Sequence, residues 1–362
     1  MNDKQNIPVT PVPNETRAMR IHRTAPFEAG SQALELDVID TPVPGKGEIL
    51  LQVSACGVCH TELDEIEGRT APPSLPVTPG HQVVGIVVRE GPGCSLGLLG
   101  NRVGVAWIHS ACGECKYCLE GRENLCPDFS ATGRDAPGGY AEYMVVPEAF
   151  AHEIPPEVDD FEATPLLCAG AVGYRALMLC QLQNGQKLGL TGFGASGHLV
   201  LPMAQHLYPD SPVYVFARSD KERAFARELG AHWAGDTTVR PGTGLDAIID
   251  TTPAWLPVMA AMEALAPGGR LVINAIRKEA GDQVLLSELD YERHLWREKS
   301  LSTVANVTRN DVRECLRLAV EIPLKTHVTL FQLEEANRAL AELRQGHIRG
   351  AKVLKIKPSG GY

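Results

Sequence analysis

The stretch Lys187-Leu188-Gly189-Leu190-Thr191-Gly192-Phe193-Gly194-Ala195-Ser196-Gly197 decides the fold of this chain. Its first five residues predict a short buried strand, and a helical pattern begins directly after the last glycine. Glycines spaced G-x-G-x-x-G between a strand and a helix allow a tight turn, backbone approach to a pyrophosphate, and close packing of helix on strand. A merely flexible turn is the alternative interpretation. The residues expected to bind a dinucleotide are Gly192, Gly194, Ala195, Ser196 and Gly197.

Strand and helix patterns alternate after this turn. Strands are expected at residues 213–217, 245–250 and 270–274, with helices at 221–229 and 255–265. Repeated alternation of this kind produces a doubly wound parallel sheet with helices on both faces. This part of the chain therefore predicts an α/β nucleotide-binding domain.

The N-terminal part of the chain is rich in strand patterns instead. Short examples at 34–40 and 49–53 are separated by proline and glycine turns. We expect a β-rich catalytic domain over 1–168 and the parallel-sheet domain over 169–306. Because the winding has finished by then, residues 307–362 are expected to return to the first domain.

Composition and charge exclude several classes of protein. The 362 residues are 44% hydrophobic and 22% charged, as in ordinary globular chains. A net charge of -10 argues against a nucleic-acid binder, which needs a basic face. The chain shows neither a membrane-spanning apolar run nor a signal peptide, so we expect a cytoplasmic protein. Its ten cysteines should then stay reduced.

Two groups of these cysteines have the spacing of metal ligands. The first is Cys56-Gly57-Val58-Cys59-His60-Thr61-Glu62, followed by Pro79-Gly80-His81-Gln82. Zinc prefers thiolate and imidazole ligands, and a catalytic zinc keeps three protein ligands and one open position. We interpret this stretch as part of such a site, with a further ligand from elsewhere. The alternative is that Cys56 and Cys59 form a redox pair or are buried small side chains.

The second group lies in a segment, about 107–130, that has few apolar residues. It has C-x2-C-x2-C-x7-C spacing and consists of Cys112, Cys115, Cys118 and Cys126. Four thiolates can enclose one zinc ion and leave no position for a substrate, so we expect a structural zinc. An iron–sulfur cluster is the competing interpretation. Three other cysteines are expected to be buried apolar side chains: Cys94, Cys180 and Cys315.

Taken together, these motifs resemble the zinc-dependent medium-chain alcohol dehydrogenases, of the cinnamyl or primary alcohol type, over about 18–356. The motifs that carry the resemblance are Gly57-Val58-Cys59-His60-Thr61, Pro79-Gly80-His81, the four-cysteine segment, Gly139-Tyr140-Ala141-Glu142, Leu167-Cys168-Ala169-Gly170 and the glycine turn. The resemblance implies a GroES-like catalytic domain and a Rossmann domain. It also implies two zinc ions per chain and a nicotinamide cofactor.

The resemblance further implies roles for single residues. It makes Cys59, rather than Cys56, the first ligand of the catalytic zinc, with His81 second and Cys168 third. Thr61 would take the proton of the alcohol. Other implied positions are His60 and Arg349 near the cofactor phosphates, and Trp107 and Ile108 in the wall of the substrate pocket.

Three positions depart from the family pattern. The family usually has Glu where this chain has Gln82, which puts a role of that carboxylate in ligand exchange in doubt. It usually has Asp where Glu62 stands, although the longer side chain could still hold the histidine ligand. A frequent proton-relay histidine is replaced by Asp64, which leaves the final base open between Asp64 and solvent.

Cofactor selection is predicted from the end of the second strand of the parallel sheet. An acidic residue there would bind the ribose 2′-hydroxyl of NAD, but the chain has Ala217-Arg218-Ser219. Arg218 can pair with the 2′-phosphate of NADP, and Ala217 brings no repelling charge, so NADP is favoured. A solvated arginine is the alternative, and the nearby Asp220 keeps NAD open.

The expected function is zinc-dependent hydride transfer between a primary or aromatic alcohol and the nicotinamide, with aldehyde reduction as the reverse reaction. One alternative is a polyol or formaldehyde-type dehydrogenase of the same fold. Another is a cofactor-binding protein with weakened catalysis, which only Gln82 supports. The resemblance implies a homodimer or homotetramer, with residues 300–304 as a candidate edge strand.

Overall fold

The chain folds into two compact units. The computed structural model describes residues 11–28, 30–322, 324–346 and 350–356. The first unit contains the chain up to Cys168, the segment Thr308–Leu316, and the chain from Lys325 onward. The second unit contains Ala169–Val307 and Arg317–Leu324.

The strands follow the chain in three groups. The first unit begins with β1 (Glu15–Ile21), β2 (Leu34–Asp40), β3 (Glu48–Val58), β4 (Val83–Glu90), β5 (Arg102–Val105), β6 (Ile108–Ser110), β7 (Ser130–Ala131), β8 (Tyr143–Pro147) and β9 (Ala151–Glu153). The second unit contains β10 (Leu188–Thr191), β11 (Val213–Phe216), β12 (Trp233–Gly235), β13 (Leu245–Asp250), β14 (Leu265–Ile273) and β15 (Ser300–Thr303). The first unit ends with β16 (Val328–Gln332) and β17 (Ala351–Lys355).

The helices connect these strands. They are α1 (His60–Ile66), α2 (Lys116–Leu119), α3 (Asp160–Pro165), α4 (Ala171–Leu179), α5 (Gly197–Leu207), α6 (Asp220–Glu228), α7 (Leu256–Ala264), α8 (Arg309–Glu321) and α9 (Ala336–Arg344). Within the described ranges, no helix is both long and apolar enough to cross a membrane.

The main sheet of the first unit is organised around β3. Residues Ile49, Leu50 and Leu51 are all fully buried, which suits a strand covered on both faces. The strand order is β16-β17-β3-β4-β5-β9, and β8 also pairs with β3. The terminal strand β17 runs antiparallel to β3 and sets Leu354 opposite Cys56. The end of the chain therefore completes the sheet that carries the first cysteine motif.

The second unit contains a six-stranded sheet in the order β12-β11-β10-β13-β14-β15. All of its strand pairs are parallel. The last residues of three neighbouring strands, Thr191, Asp250 and Ile273, lie in register. These residues share the carboxyl edge of the sheet, where α/β folds of this kind bind their ligands. The predicted β-rich unit and doubly wound parallel sheet are confirmed.

The sequence has a helical pattern from about Asp160 through Cys168 to Leu182, but the structure interrupts the helix. Helix α3 ends at Pro165, residues Leu166–Gly170 form a wider turn of π type, and α4 begins at Ala171. Proline cannot donate a backbone hydrogen bond within a helix, and it crowds the preceding turn. The interruption matters because Cys168 lies in it, and wide turns of this type are frequent at functional sites.

The ten cysteines are all free thiols, as expected. Two of the three isolated ones, Cys180 and Cys315, are buried as predicted. Cys94 is only half-buried, and its Sγ donates to the backbone oxygen of Glu48 at 3.2 Å. The prediction for Cys94 was therefore wrong in its burial, because the side chain packs against the core of the first unit without being enclosed by it.

Candidate metal centres and nucleotide site

The end of β3 places Cys59 directly before α1. The backbone N–H of Cys59 donates to Glu62 Oε2 at 2.7 Å, so the glutamate folds back over the first helical turn as in a capping box. The other carboxylate oxygen, Glu62 Oε1, lies 2.6 Å from His81 Nδ1. Glu62 has no exposed surface. One buried carboxylate thus holds both the start of the helix and the ring of His81.

The second ring nitrogen of His81 faces sulfur. His81 Nε2 lies 3.4 Å from Cys168 Sγ, which comes from the π-type turn after α3. The donor atoms of Cys59, His81 and Cys168 all lie within 4.8 Å of one another. Two thiols and one imidazole in this arrangement fit the donor set of a zinc ion that keeps a fourth position open.

The electrostatics of this group also suit a cation. The hydrogen bond from Cys168 holds the pKa of Cys59 well below its usual range, against the effect of burial. Burial opposes charge on His81, but Glu62 and Cys59 outweigh it and raise the pKa of His81 well above its usual value. The surroundings therefore favour a thiolate with a positive charge beside it, and a zinc ion would supply that charge in place of the proton on His81.

Cys56 does not join this group. Its side chain belongs to the hydrophobic core of the first unit, and its Sγ points to its neighbour's carbonyl, Gly57 O, at 3.7 Å. Burial raises the pKa of the Cys56 thiol well above its usual value. A buried, protonated thiol is neither a metal ligand nor a redox partner. The geometry therefore favours Cys59 as the ligand and argues against a Cys56–Cys59 redox pair.

The remaining polar residues of α1 have different surroundings. Thr61 is buried, and its Oγ1 lies 3.6 Å from Cys59 Sγ. His60 is exposed. Asp64 is buried, and its Oδ1 accepts from Arg69 Nε at 2.7 Å and lies 2.5 Å from Arg69 Nη2. In the sequence, the only signal for a role of Arg69 is its position shortly after α1.

The unusual Gln82 lies against Gly57. The glutamine is 5% exposed, and a Cβ at position 57 would come within 2.6 Å of Gln82 Oε1. The backbone N–H of Gly57 also donates to Gln82 O at 2.9 Å. Glycine is therefore needed at position 57 for the close approach of a neutral amide beside His81.

The two residues that were expected to wall a substrate pocket differ in their surroundings. Ile108 is fully buried in the hydrophobic core of the first unit. The ring of the half-buried Trp107 lies 5.1 Å from that of Phe129, and the guanidinium of Arg134 lies 5.5 Å from the Trp107 ring centroid. Of the two residues, Trp107 is therefore the one with surface left for a ligand.

The four-cysteine segment forms a second compact group of sulfurs. Cys112 Sγ lies 3.8 Å from Cys118 Sγ and 3.5 Å from Cys126 Sγ, and Cys115 Sγ lies 3.6 Å from Cys118 Sγ. Backbone hydrogen bonds, first that of Glu114, lower the pKa of Cys112 to about 7. A tetrahedron with metal–sulfur bonds of about 2.3 Å has edges of about 3.8 Å. These distances fit one ion better than a cluster, which holds its thiolates further apart.

The glycine turn follows β10 and shows three distinct roles. Gly192 has φ +80°, and a Cβ there would lie 2.7 Å from Thr251 Oγ1. A Cβ at Gly197 would lie 2.6 Å from Gly192 O, whereas nothing lies within 4 Å of one at Gly194. Ala195 and Ser196 complete the turn before α5. The outer glycines are thus required by the protein itself, and the middle one leaves open space for a ligand.

The end of β11 carries the residues predicted to select the cofactor. Ala217 is buried, whereas Arg218 and Ser219 are exposed. The Ser219 hydroxyl caps α6 by accepting from Glu222 N at 3.2 Å, so it already has a structural role. Within the part of the chain that the structure describes, no side chain pairs with the Arg218 guanidinium. The predicted phosphate-binding Arg349 lies outside the described residues.

Comparison with known proteins identifies the family of the chain. The family profile "alcohol dehydrogenase GroES-like domain" matches residues 45–156, and the profile "zinc-binding dehydrogenase" matches residues 229–354. A probable alcohol dehydrogenase of Mycobacterium tuberculosis is 40% identical over 344 residues, which cover 94% of this chain and 97% of that protein. The chain belongs to the zinc-type alcohol dehydrogenases.

Other relatives of this alcohol dehydrogenase agree. An alcohol dehydrogenase of Geobacillus stearothermophilus is 33% identical over 342 residues, covering 90% of this chain and 96% of the relative. The cobalt- and zinc-bound thermostable alcohol dehydrogenase of Pyrobaculum aerophilum has a similar structure, with a TM-score of 0.82, 25% identity, and coverage of 94% and 99%. The expectations of an oxidoreductase and of a GroES-like plus Rossmann architecture are confirmed, and the alternative of weakened catalysis gains no support.

The two cysteine groups of this alcohol dehydrogenase should differ in what they contribute. We expect Cys59→Ser to lose its bound zinc and to lose activity by more than about a hundredfold. This loss should exceed the effect of removing a residue that only orients a metal ligand. Its thermal unfolding midpoint should change little. Cys112→Ser should instead lower the unfolding midpoint strongly, because metal binding orders a segment that has no core of its own. Zinc content, turnover and thermal unfolding measure these effects.

Cys56→Ser is the matched control for Cys59→Ser. It changes a thiol in the same motif but outside the metal group, so it should keep the zinc content of the wild type. Equal loss of folding in the Cys59 and Cys112 variants would contradict the assignment of separate catalytic and structural roles.

Proposed function

We propose that this alcohol dehydrogenase oxidises primary or aromatic alcohols, and reduces the corresponding aldehydes, with one catalytic and one structural zinc ion per chain and with NADP as the preferred cofactor. The observation that carries the proposal is the convergence of Cys59, His81 and Cys168 within 4.8 Å, beside the Thr61 hydroxyl. The three donors leave one coordination position for the substrate oxygen.

The residues around these donors prepare the site. A zinc ion there supplies a Lewis acid that makes the substrate hydroxyl easier to deprotonate, and the nicotinamide, when bound, exchanges hydride with the substrate carbon. Glu62 fixes the orientation of the His81 ring through Nδ1, so Nε2 is presented on the side of the sulfurs. Hydrogen bonding of this type also makes an imidazole a better ligand.

Thr61 is the proposed first proton acceptor. Its Oγ1 lies 3.6 Å from Cys59 Sγ, so it is within reach of a group held at the same site. Asp64 is a poor candidate for the next acceptor because its carboxylate already binds the Arg69 guanidinium. We therefore favour solvent, reached past the exposed His60, as the final acceptor.

An aromatic patch supports the proposed substrate class. Trp107 and Phe129 offer two rings 5.1 Å apart, and such surfaces favour planar or apolar substituents. Polyols would leave their additional hydroxyl groups without partners against these rings. This contrast separates the proposal from the polyol dehydrogenase alternative.

The proposed enzyme function is tested by a spectrophotometric panel. Purified protein should oxidise benzylic and other primary alcohols, and reduce their aldehydes, with a kcat/KM at least about tenfold higher than for polyols or hydrated formaldehyde, because a single good contact is worth about that factor. Each substrate is measured with NADP and with NAD. Turnover of polyols alone would contradict the proposed substrate class, and the absence of turnover with every substrate would contradict the proposed activity.

The preference for NADP is supported by the contacts of the charged side chains that follow β11. Arg223 binds the backbone oxygens of Ala217 and Arg218 at 2.6 and 2.8 Å, and it also pairs with the Asp220 carboxylate. Arg223 is therefore committed to the protein, and its guanidinium offsets the charge of the exposed Asp220 carboxylate. The exposed Arg218 is left to meet a 2′-phosphate.

Replacing Arg218 by Ala tests this preference. The KM for NADP should rise about tenfold or more, because a charge-assisted pair with phosphate is lost, whereas the KM for NAD should change less than about twofold. The matched control is Arg89→Ala, which removes an exposed arginine from β4 of the other unit and should leave both values unchanged. Equal effects of Arg218→Ala on the two cofactors would contradict the proposed contact.

We also propose that the enzyme forms a homodimer through β15. This strand is the last in the parallel sheet, and all four of its residues are exposed. Trp296 and Tyr291, which precede it, are 53% and 64% exposed and pack edge to face at 5.7 Å. An open strand edge beside exposed aromatic rings is a typical site of strand pairing between copies.

Charge placed on this edge should prevent the pairing. Leu301 on β15 is 46% exposed, and Leu301→Lys would bring like charges together across a symmetric interface, so the variant should sediment as a monomer. The control is Leu330→Lys on β16, the edge strand of the other sheet, because Leu330 is 43% exposed. Analytical ultracentrifugation measures both. Dissociation by the control alone, or a monomeric wild type, would contradict the proposal.

A further inference from the structure

A buried charge pair lies at the carboxyl edge of the parallel sheet. Asp250, the last residue of β13, is fully buried, and the Lys278 ammonium pairs with its Oδ2. The same ammonium donates to Thr252 O at 2.7 Å and to Ala254 O at 3.0 Å. Each of its three N–H donors thus has an acceptor, so the lysine is fully used inside the protein.

The second oxygen of Asp250 connects the pair to the glycine turn. Asp250 Oδ1 accepts from Thr191 Oγ1 at 2.5 Å, and Thr191 is the residue directly before Gly192. Thr251 Oγ1 donates to Thr191 O at 3.0 Å. The same Thr251 oxygen is the atom that a Cβ at Gly192 would meet. The first glycine of the turn therefore rests against the segment that Lys278 holds.

The segment around Lys278 is clamped at further points. The backbone N–H of Glu279 donates to Pro253 O at 2.7 Å. The Asp282 carboxylate accepts from the backbone N–H of Trp255 and of Leu256, both at the start of α7. Residues 278–282 thus hydrogen-bond at several points to the segment that connects β13 to α7. Among the contacts described, Lys278 supplies the only positive charge that pairs with Asp250.

The position of this network relates it to the ligand site. In the strand order of this sheet, the connections from β10 and from β13 leave in opposite directions, so the crevice between their carboxyl ends is the topological switch point. Dinucleotides bind at this point in folds of this type. Thr191 and Asp250 form its two sides and are directly bonded to each other.

We propose that Lys278 is a positioning residue for the dinucleotide, which acts through Asp250 and Thr191 to hold the glycine turn in its ligand-receiving conformation. The inference rests on the proposed function, in which this turn binds the cofactor. Without the ammonium, a buried carboxylate and two backbone oxygens lose their partner. The carboxyl edge of the sheet must then rearrange or admit water, and the glycine turn shifts as a result.

The test replaces Lys278 by Met, which keeps the length of the side chain and removes its charge. The Kd for NADPH, from fluorescence titration, and the KM for NADP should rise about tenfold to a hundredfold, the range seen when a group that orients a ligand-binding residue is removed. The KM for the alcohol and the zinc content should stay at wild-type values. A purely structural role would lower the unfolding midpoint without this selective effect on the cofactor.

Lys299→Met is the matched control. Lys299 is also partly buried, and it donates to two backbone oxygens, Met262 O at 2.7 Å and Arg293 O at 2.9 Å. It directly precedes β15 and therefore lies at the opposite, amino edge of the same sheet. Its replacement should lower stability and leave the Kd for NADPH unchanged.

A second variant tests the route through Asp250. Adding Asp250→Asn to Lys278→Met removes the uncompensated carboxylate, so the double variant should bind NADPH more tightly than Lys278→Met alone. Should Lys278→Met fail to fold, Asp250→Asn takes its place, because it keeps the shape and weakens only the ion pair. It must then raise the Kd more than Lys299→Met does.

The outcomes separate this inference from the function on which it rests. A wild-type protein that binds neither NADPH nor NADH overturns the proposed cofactor and the inference with it. A wild-type protein that binds, together with a Lys278→Met variant that binds equally well, overturns the inference alone. Equal weakening by Lys299→Met has the same consequence, because the effect would then not depend on the carboxyl edge.

Discussion

The candidate metal centre depends on the buried carboxylate of Glu62. This side chain accepts a hydrogen bond from the backbone of Cys59 and lies 2.6 Å from His81 Nδ1. A charge without exposed surface is costly unless it is paired, and Glu62 lies close to both of these partners. Cys59 directly precedes α1, and His81 lies two residues before β4. Glu62 therefore links these two candidate metal ligands. Glu62 therefore reaches His81 although the family usually has the shorter aspartate at this position.

Charged side chains elsewhere in the chain divide into those used by the protein and those left for ligands. Arg69 binds Asp64, and Arg223 binds two backbone oxygens at the end of β11. A guanidinium in such a position contributes to the fold and is not available to a substrate or cofactor. Arg218, next to Arg223, has its guanidinium exposed. Two arginines five residues apart thus have different roles, and only their contacts in the structure distinguish the one that stabilises the fold from the one that is left for a ligand.

The two cysteine sites differ in how visible they are in the sequence. The four sulfurs of the second group come from one short segment, so their spacing alone indicates an ion. The candidate catalytic group combines a residue at the end of β3, one that lies two residues before β4, and one in the π-type turn after α3. Nothing local marks Cys168 as a ligand, and the resemblance to a family supplied it. Cys56 is the opposite case: its spacing in the sequence is that of a metal ligand, but its sulfur lies in the hydrophobic core.

The sequence by itself determined the alternation of strands and helices, the glycine turn, and the four-cysteine segment, because hydrophobic periodicity and short spacings encode local geometry. Only the tertiary structure decided that Arg69 occupies the carboxylate of Asp64, and that Lys278 compensates Asp250 at the edge of the sheet. It also interrupted the helical pattern of the sequence after Pro165. These outcomes depend on groups that come into contact only when separate segments pack together. Such contacts produce no periodic pattern in the sequence, so they cannot be predicted from it.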